Sequence, residues 1–224
     1  MRGVIGVLAL LLGPHAAMAQ ERASDPVSAA MAALNVVLPR EAEQELALSA
    51  APVHLRADAS VYVFGARGFE RVRSGRNGFS CLVNRDAFFY GASAFKPTCW
   101  DAAGEDTYLP VMLKVGELLA SGASHETIAR AIDTGFAAGT FRRPSGGGVA
   151  YMLAGDVVLD PRTGRVTRQL YPGHYMFYAA GATSAQLGYS ADGARSDATL
   201  PFVFSGGAGG VHGLSYIIAV RHSP

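Results

Sequence analysis

The chain has 224 residues, half of them hydrophobic and 9% aromatic, which is enough apolar mass for a packed core and excludes global disorder. Its 19 basic and 18 acidic residues leave a formal net charge of +1. That balance gives no support for nucleic-acid or polyanion binding.

The first residues read as an export signal. Arg2 supplies a positive start, Val4 to Leu12 is apolar, Pro14 breaks the run, and Ala17-Met18-Ala19 has the small-x-small pattern of a cleavage site. The apolar run is shorter than the ~20 residues that a membrane-spanning helix needs. Cleavage after Ala19 is expected, leaving 18 basic and 18 acidic residues and no integral membrane span. This predicts a periplasmic or secreted protein.

Residues 20–59 read as a helical leader. Val27 to Leu38 is small and apolar, and Glu41 to Ala50 is a helix with Pro39 before it and glutamates in its first turns. A single α+β domain is expected over 60–224. It opens with Ser60–Phe64, Phe69–Arg73 and Phe79–Val83, separated by glycine turns, which together predict a β-meander. Arg67, Arg71, Arg73, Arg76 and Arg85 are opposed locally by Glu70 alone. Strand alternation places Arg71 and Arg73 on one face, either as an anion-binding pair or as a solvated edge.

Cys81 and Cys99 predict a disulfide, because an isolated pair in an oxidising compartment usually bridges. Closing a loop of about 19 residues is worth roughly 3 kcal/mol in the chain-entropy model. The stapled segment reads as an irregular loop with exposed aromatics at Phe88, Phe89 and Tyr90. A nucleophilic Cys81 finds no local base. Zinc finds no C-x-x-C or ligand-spaced histidine, so no metal and no cofactor is expected.

Thr107–Ser121 and the segment capped by Ser124 have helical spacing and form an αα-hairpin around Gly122-Ala123. Pro144–Gly148 reads as a flexible linker. Strands are then expected at Val149–Leu153, Val157–Leu159, Tyr175–Ala179, Pro201–Phe204 and Ser215–Val220, with one helical turn at Thr183–Leu187. The sum is an α+β fold: a mostly antiparallel sheet with an N-terminal helix and a central αα-hairpin.

The glycine-rich stretches Ser145–Gly148 and Ser205–Gly210 lack the Gly-Lys-Ser/Thr ending of a P-loop and read as ordinary loops. Of the histidines, His54, His125 and His222 sit in connector, helix-start and tail positions. His174 opens the strand His174-Tyr175-Met176-Phe177-Tyr178, with Met176 and Tyr178 on its own face. It is the candidate ligand donor or general base. Tyr151, Ser215 and His212 are its candidate partners, although no G-x-S-x-G elbow is present.

Asn77-Gly78-Phe79-Ser80-Cys81-Leu82-Val83 resembles the "NGFxCLV" core of a group of uncharacterised exported bacterial proteins. Pro172-Gly173-His174-Tyr175-Met176-Phe177-Tyr178 is similar to their "PHxMFYxP" segment, with Gly173 and Ala180 where that pattern has proline. The resemblance spans residues 60–220 loosely and implies export but no activity. The leading expectation is a domain that binds a small molecule or an envelope component, using Arg71, Arg73, His174 or Tyr178, or the stapled loop. A hydrolase with His174 as base and a structural or stress-related envelope protein are the alternatives.

Overall fold

The computed structural model describes residues 25–188 and 200–220. The export signal expected at 1–19 and His222 lie outside them. Three helices come first: α1 (Pro26–Leu34), α2 (Arg40–Ser49) and the single turn α3 (Val53–Arg56). Asp25 caps α1 through Ser28 N–H, with Pro26 at the first helical position where a missing N–H costs nothing. The strands β1 (Ser60–Gly65), β2 (Gly68–Arg73), β3 (Ser80–Asn84) and β4 (Lys96–Trp100) follow. The hairpin helices are α4 (Ala102–Ala120) and α5 (His125–Ala137), capped by Asp101 and Ser124. The chain continues with β5 (Val149–Met152), β6 (Asp156–Leu159), β7 (Val166–Tyr171), β8 (His174–Tyr178), β9 (Phe202–Phe204), the short helix α6 (Gly207–Gly210) and β10 (Tyr216–Val220).

Eight strands form one sheet in the order β2-β1-β3-β4-β5-β8-β10-β9, and β6 pairs with β7 in a separate hairpin. Every pairing is antiparallel except β1 with β3. The fold is therefore α+β with a mostly antiparallel sheet, as the sequence predicts. No helix among the described residues is long and apolar enough to cross a membrane.

Three details depart from the sequence reading. First, the meander does not form: β3 lies beside β1, not β2. After β2 the chain turns back across the start of β1, where Arg76 N–H and Asn77 N–H both donate to the Asp58 carbonyl and Asn77 Nδ2 donates to Leu55 O. A Cβ on Gly75 would lie 2.3 Å from Asp58 O and Ser60 N, so only glycine permits the crossing. Second, the stapled segment is not an irregular loop, and of Phe88, Phe89 and Tyr90 only Tyr90 is exposed. It holds a 3-10 turn (Asp86–Tyr90) and β4, and Phe88 is buried while Phe89 is half-buried. Third, the helices before residue 60 do not stand apart, because Leu34, Leu38, Leu46, Ala47 and Ala50 belong to the same core as the strands.

Strand alternation divides the sheet into two faces. Cys81, Cys99, Tyr151 and Tyr175 are cross-strand neighbours on one face, and α2 approaches it with the Ala47 carbonyl 3.5 Å from Cys99 Sγ. Trp100, Thr98, Met152, His174, Met176, Tyr216 and Ile218 line the other face. That second face, covered by α4 and α5, contains the cavity.

Candidate functional site

The second face of the sheet does not pack solidly against the helices. A cavity of about 460 Å³ separates them. Its floor is Trp100, Met152, Met176 and Ile218; Tyr108, Val111 and Met112 of α4 and Ile132 of α5 form one wall. Phe89 and Tyr90 from the stapled segment form another. Its remaining wall comes from Gly206 to Gly209, the glycine-rich stretch that precedes β10. Gly207 has φ +68°, and a Cβ there would lie 2.8 Å from the Tyr90 hydroxyl oxygen. Glycine lets this backbone lie directly against the Tyr90 ring, which also packs on Phe204 at 5.4 Å.

The lining is mostly apolar, with its hydroxyl and indole groups already satisfied at the α4 side. Trp100 Nε1 donates to Tyr216 Oη at 3.0 Å, and Tyr108 Oη donates to the Ser215 carbonyl at 2.9 Å. Burial pushes both tyrosines up, Tyr108 and Tyr216 alike, so neither is an acid or base near neutral pH. Charged and polar groups collect where β4, β6 and β8 reach the cavity: Asn84, Asp86, Lys96, Asp156 and His174. Lys96 Nζ donates to Asp86 Oδ1 at 3.1 Å and sits 4.6 Å from the Tyr90 ring centroid, so its charge is already matched.

His174 is 2% exposed. Its Nδ1–H donates to the Pro172 carbonyl at 2.9 Å, and the Tyr171 ring packs edge-on at 5.1 Å. Burial holds its pKa below the ordinary histidine value, against the raising effect of that carbonyl. The ring is thus neutral near pH 7, with Nδ1 carrying the proton and Nε2 left as a lone-pair acceptor. No group among the described residues donates to Nε2.

The Asp156 carboxyl is raised by burial and further by Asp86, while Lys96 opposes the shift. It accepts no hydrogen bond among the described residues. The folded protein holds the Asp156 proton more tightly than the unfolded chain does. Stability is therefore lost as pH rises from the ordinary carboxylate range through the raised folded value, and stays lost above it. Asp156→Asn is expected to raise the melting temperature by about 2–4 °C at pH 7. The gain should shrink as pH falls through about 4, where the unfolded chain also takes up the proton. A lower melting temperature at pH 7 would mean that the ionised group is stabilising instead.

The other sequence candidates are elsewhere. Tyr151 pairs with Tyr175 and Cys99, on the face away from His174. Ser215 is buried, and its carbonyl accepts from Tyr108 Oη and Ala179 N–H. His212 stacks on Phe136 at 4.2 Å and bonds Asp133 Oδ1 at 2.8 Å, outside the cavity lining. His174, Tyr151 and His212 do not converge. Tyr178 shares the His174 face as alternation predicts, but its hydroxyl donates to Asp101 Oδ1 at 2.8 Å beside the Val149 carbonyl, tying the start of β5 to the cap of α4.

Arg71 and Arg73 do not form a pair. A register shift puts Arg71 opposite Tyr62 and Arg73 opposite Val61, consecutive residues that point to opposite faces. Arg73 Nε donates to Ala59 O and its Nη2 to Arg56 O, so it ties β2 to the turn after α3. Arg76 pairs with Asp58 at the surface. Arg85, grouped with them in the sequence as either anion-binding or solvated, is fully buried against Glu43. The cavity residues that sequence reasoning missed are Asp86, Lys96 and Asp156. They are scattered along the sequence, Lys96 and Asp156 each as a single charge in an apolar stretch, and only the fold brings them together. Comparison with family models, curated proteins and solved structures finds no match to this chain.

Proposed function

We propose that this protein is exported and binds a small, mostly apolar molecule in the cavity beneath the glycine-rich segment. The observation that carries the reading is the cavity itself. At about 460 Å³ it is roughly three times the ~150 Å³ that admits benzene in an engineered core. Aromatic and aliphatic side chains line most of it, and a few polar groups gather on one part of the wall. Burying apolar ligand surface there is worth about 25 cal/mol per Å². Both candidate binding elements, the His174 strand and the stapled segment, contribute to the lining of this cavity. For export, the support is the disulfide Cys81–Cys99 together with the leader pattern at 1–19.

Titration of the purified protein with the neutral fluorophore N-phenylnaphthylamine tests the binding. Saturable, blue-shifted emission at one site per chain is expected. Ala208 lines the cavity from α6. Ala208→Trp should fill part of the space and weaken binding at least about tenfold, equivalent to ~1.4 kcal/mol, with the cooperative melt retained. Equal binding by both proteins, or no saturable binding by the wild type, would refute the reading. Fractionation of producing cells tests export: protein found in the cytosol with two titratable thiols counts against it.

A further inference from the structure

We infer that the cavity selects a ligand whose apolar body carries a protonated amine, with Asp156 as its counter-charge and His174 Nε2 as a hydrogen-bond acceptor. The inference rests on the binding role proposed above and concerns the head group alone. Two acceptors line the same cavity, Nε2 of the buried His174 and the carboxyl of the half-buried Asp156, and neither has a donor among the described residues. His174 is 98% buried by its 2% exposure, and its other nitrogen is committed to Pro172 O. Both are therefore open to a donor carried by a ligand in the cavity.

The neighbouring charges decide the sign of the head group. Lys96 is the cation at this part of the wall, and Asp86 already holds it at 3.1 Å. His174 stays neutral because burial disfavours its charged form. A carboxylate or phosphate head would find no free positive charge among the described lining residues and would face two carboxyl groups. A hydroxyl could donate to one acceptor but would leave Asp156 uncompensated. An ammonium carries three donors and a full charge, so it can serve Asp156 and His174 together. Tyr171 is the ladder partner of Asp156 and packs on His174, which puts an aromatic ring beside the same place. A cation there gains further from the ring quadrupole.

Displacement of N-phenylnaphthylamine by dodecylamine, dodecanol and dodecanoate at pH 7 tests the inference, because the three share one tail and differ in the head. Dodecylamine is expected to displace the fluorophore at a concentration at least about tenfold below dodecanoate, a difference of ~1.4 kcal/mol, and below dodecanol too. In Asp156→Asn the ratio of the dodecanoate to the dodecylamine displacing concentration should fall to about one, read against that variant's own fluorophore affinity. If the fluorophore binds and dodecanoate competes as well as dodecylamine, the head-group inference is wrong and the binding role stands. The same holds if Asp156→Asn keeps the amine preference. Absence of saturable fluorophore binding overturns both.

Discussion

Glu43→Ala is expected to be the most damaging single substitution outside the cavity, costing about 3–5 kcal/mol of folding stability. Glu43 and Arg85 are 1% and 0% exposed and meet in two parallel bonds, Nη1 to Oε1 at 2.8 Å and Nη2 to Oε2 at 3.1 Å. The remaining Arg85 donors reach the carbonyls of Leu34, Val36 and Val83, and its guanidinium lies over the Phe64 ring at 4.2 Å. Glu43 Oε1 also accepts from Phe64 N–H at 3.0 Å. One charge pair thus binds the end of α1, the following connector, α2, β1 and β3. Burial pulls the Arg85 pKa down and Glu43 opposes the shift, so removing Glu43 leaves a buried guanidinium with no counter-charge. It also orphans Phe64 N–H. Urea unfolding reads the loss as a fall in the midpoint. Replacing both partners, Glu43→Met with Arg85→Met, should recover most of it, because the desolvation cost of both charges disappears together. A loss below about 1 kcal/mol for Glu43→Ala would show that the pair is energetically neutral.

The same pair shows where sequence reasoning stops. Arg85 follows a run of arginines on strand-like sequence, and nothing within reach of a local pattern marks Glu43, 42 positions earlier, as its partner. The alternating strands were legible: His174, Met176 and Tyr178 share a face because successive strand residues point opposite ways. The helix caps at Ser124 and the cysteine pairing were legible for equally local reasons. β4 was not, because Pro97 argues against a central strand. It is tolerated because β5 pairs only with Cys99 and Trp100 while β6 bridges only Phe95, so Pro97 falls in the gap between them. β7 was missed because both of its faces are largely exposed and no alternation exists to be read. The polar part of the cavity was invisible for a topological reason. Asp86, Lys96, Asp156 and His174 come from a 3-10 turn and three strands, and two of those strands approach only through the Phe95–Val157 bridge.

Opening the Cys81–Cys99 bridge should cost about 3 kcal/mol, on the loop-closure estimate for its sequence separation of 18. The two cysteines face each other directly in the β3–β4 ladder, on the side of the sheet away from the cavity. The segment they enclose carries Asp86, Phe89, Tyr90 and Lys96, so the staple closes the loop that builds one cavity wall. Because β3 and β4 are themselves paired in register over five residue pairs, the bridge acts on the unfolded chain more than on the shape of the wall. Two results should therefore separate. Reductant should lower the urea midpoint of the wild type, and the Cys81→Ser, Cys99→Ser double variant should sit at that lower midpoint whether or not reductant is present. Below the transition, both forms should keep the fluorophore affinity of the oxidised protein. A fall in affinity that matches the fall in stability would mean that the bridge shapes the wall directly. An unchanged midpoint under reductant would show that the ladder alone holds the strands. The expected cost also bears on compartment: in a reducing cytosol this domain would lose about a fifth to three fifths of a typical 5–15 kcal/mol folding stability.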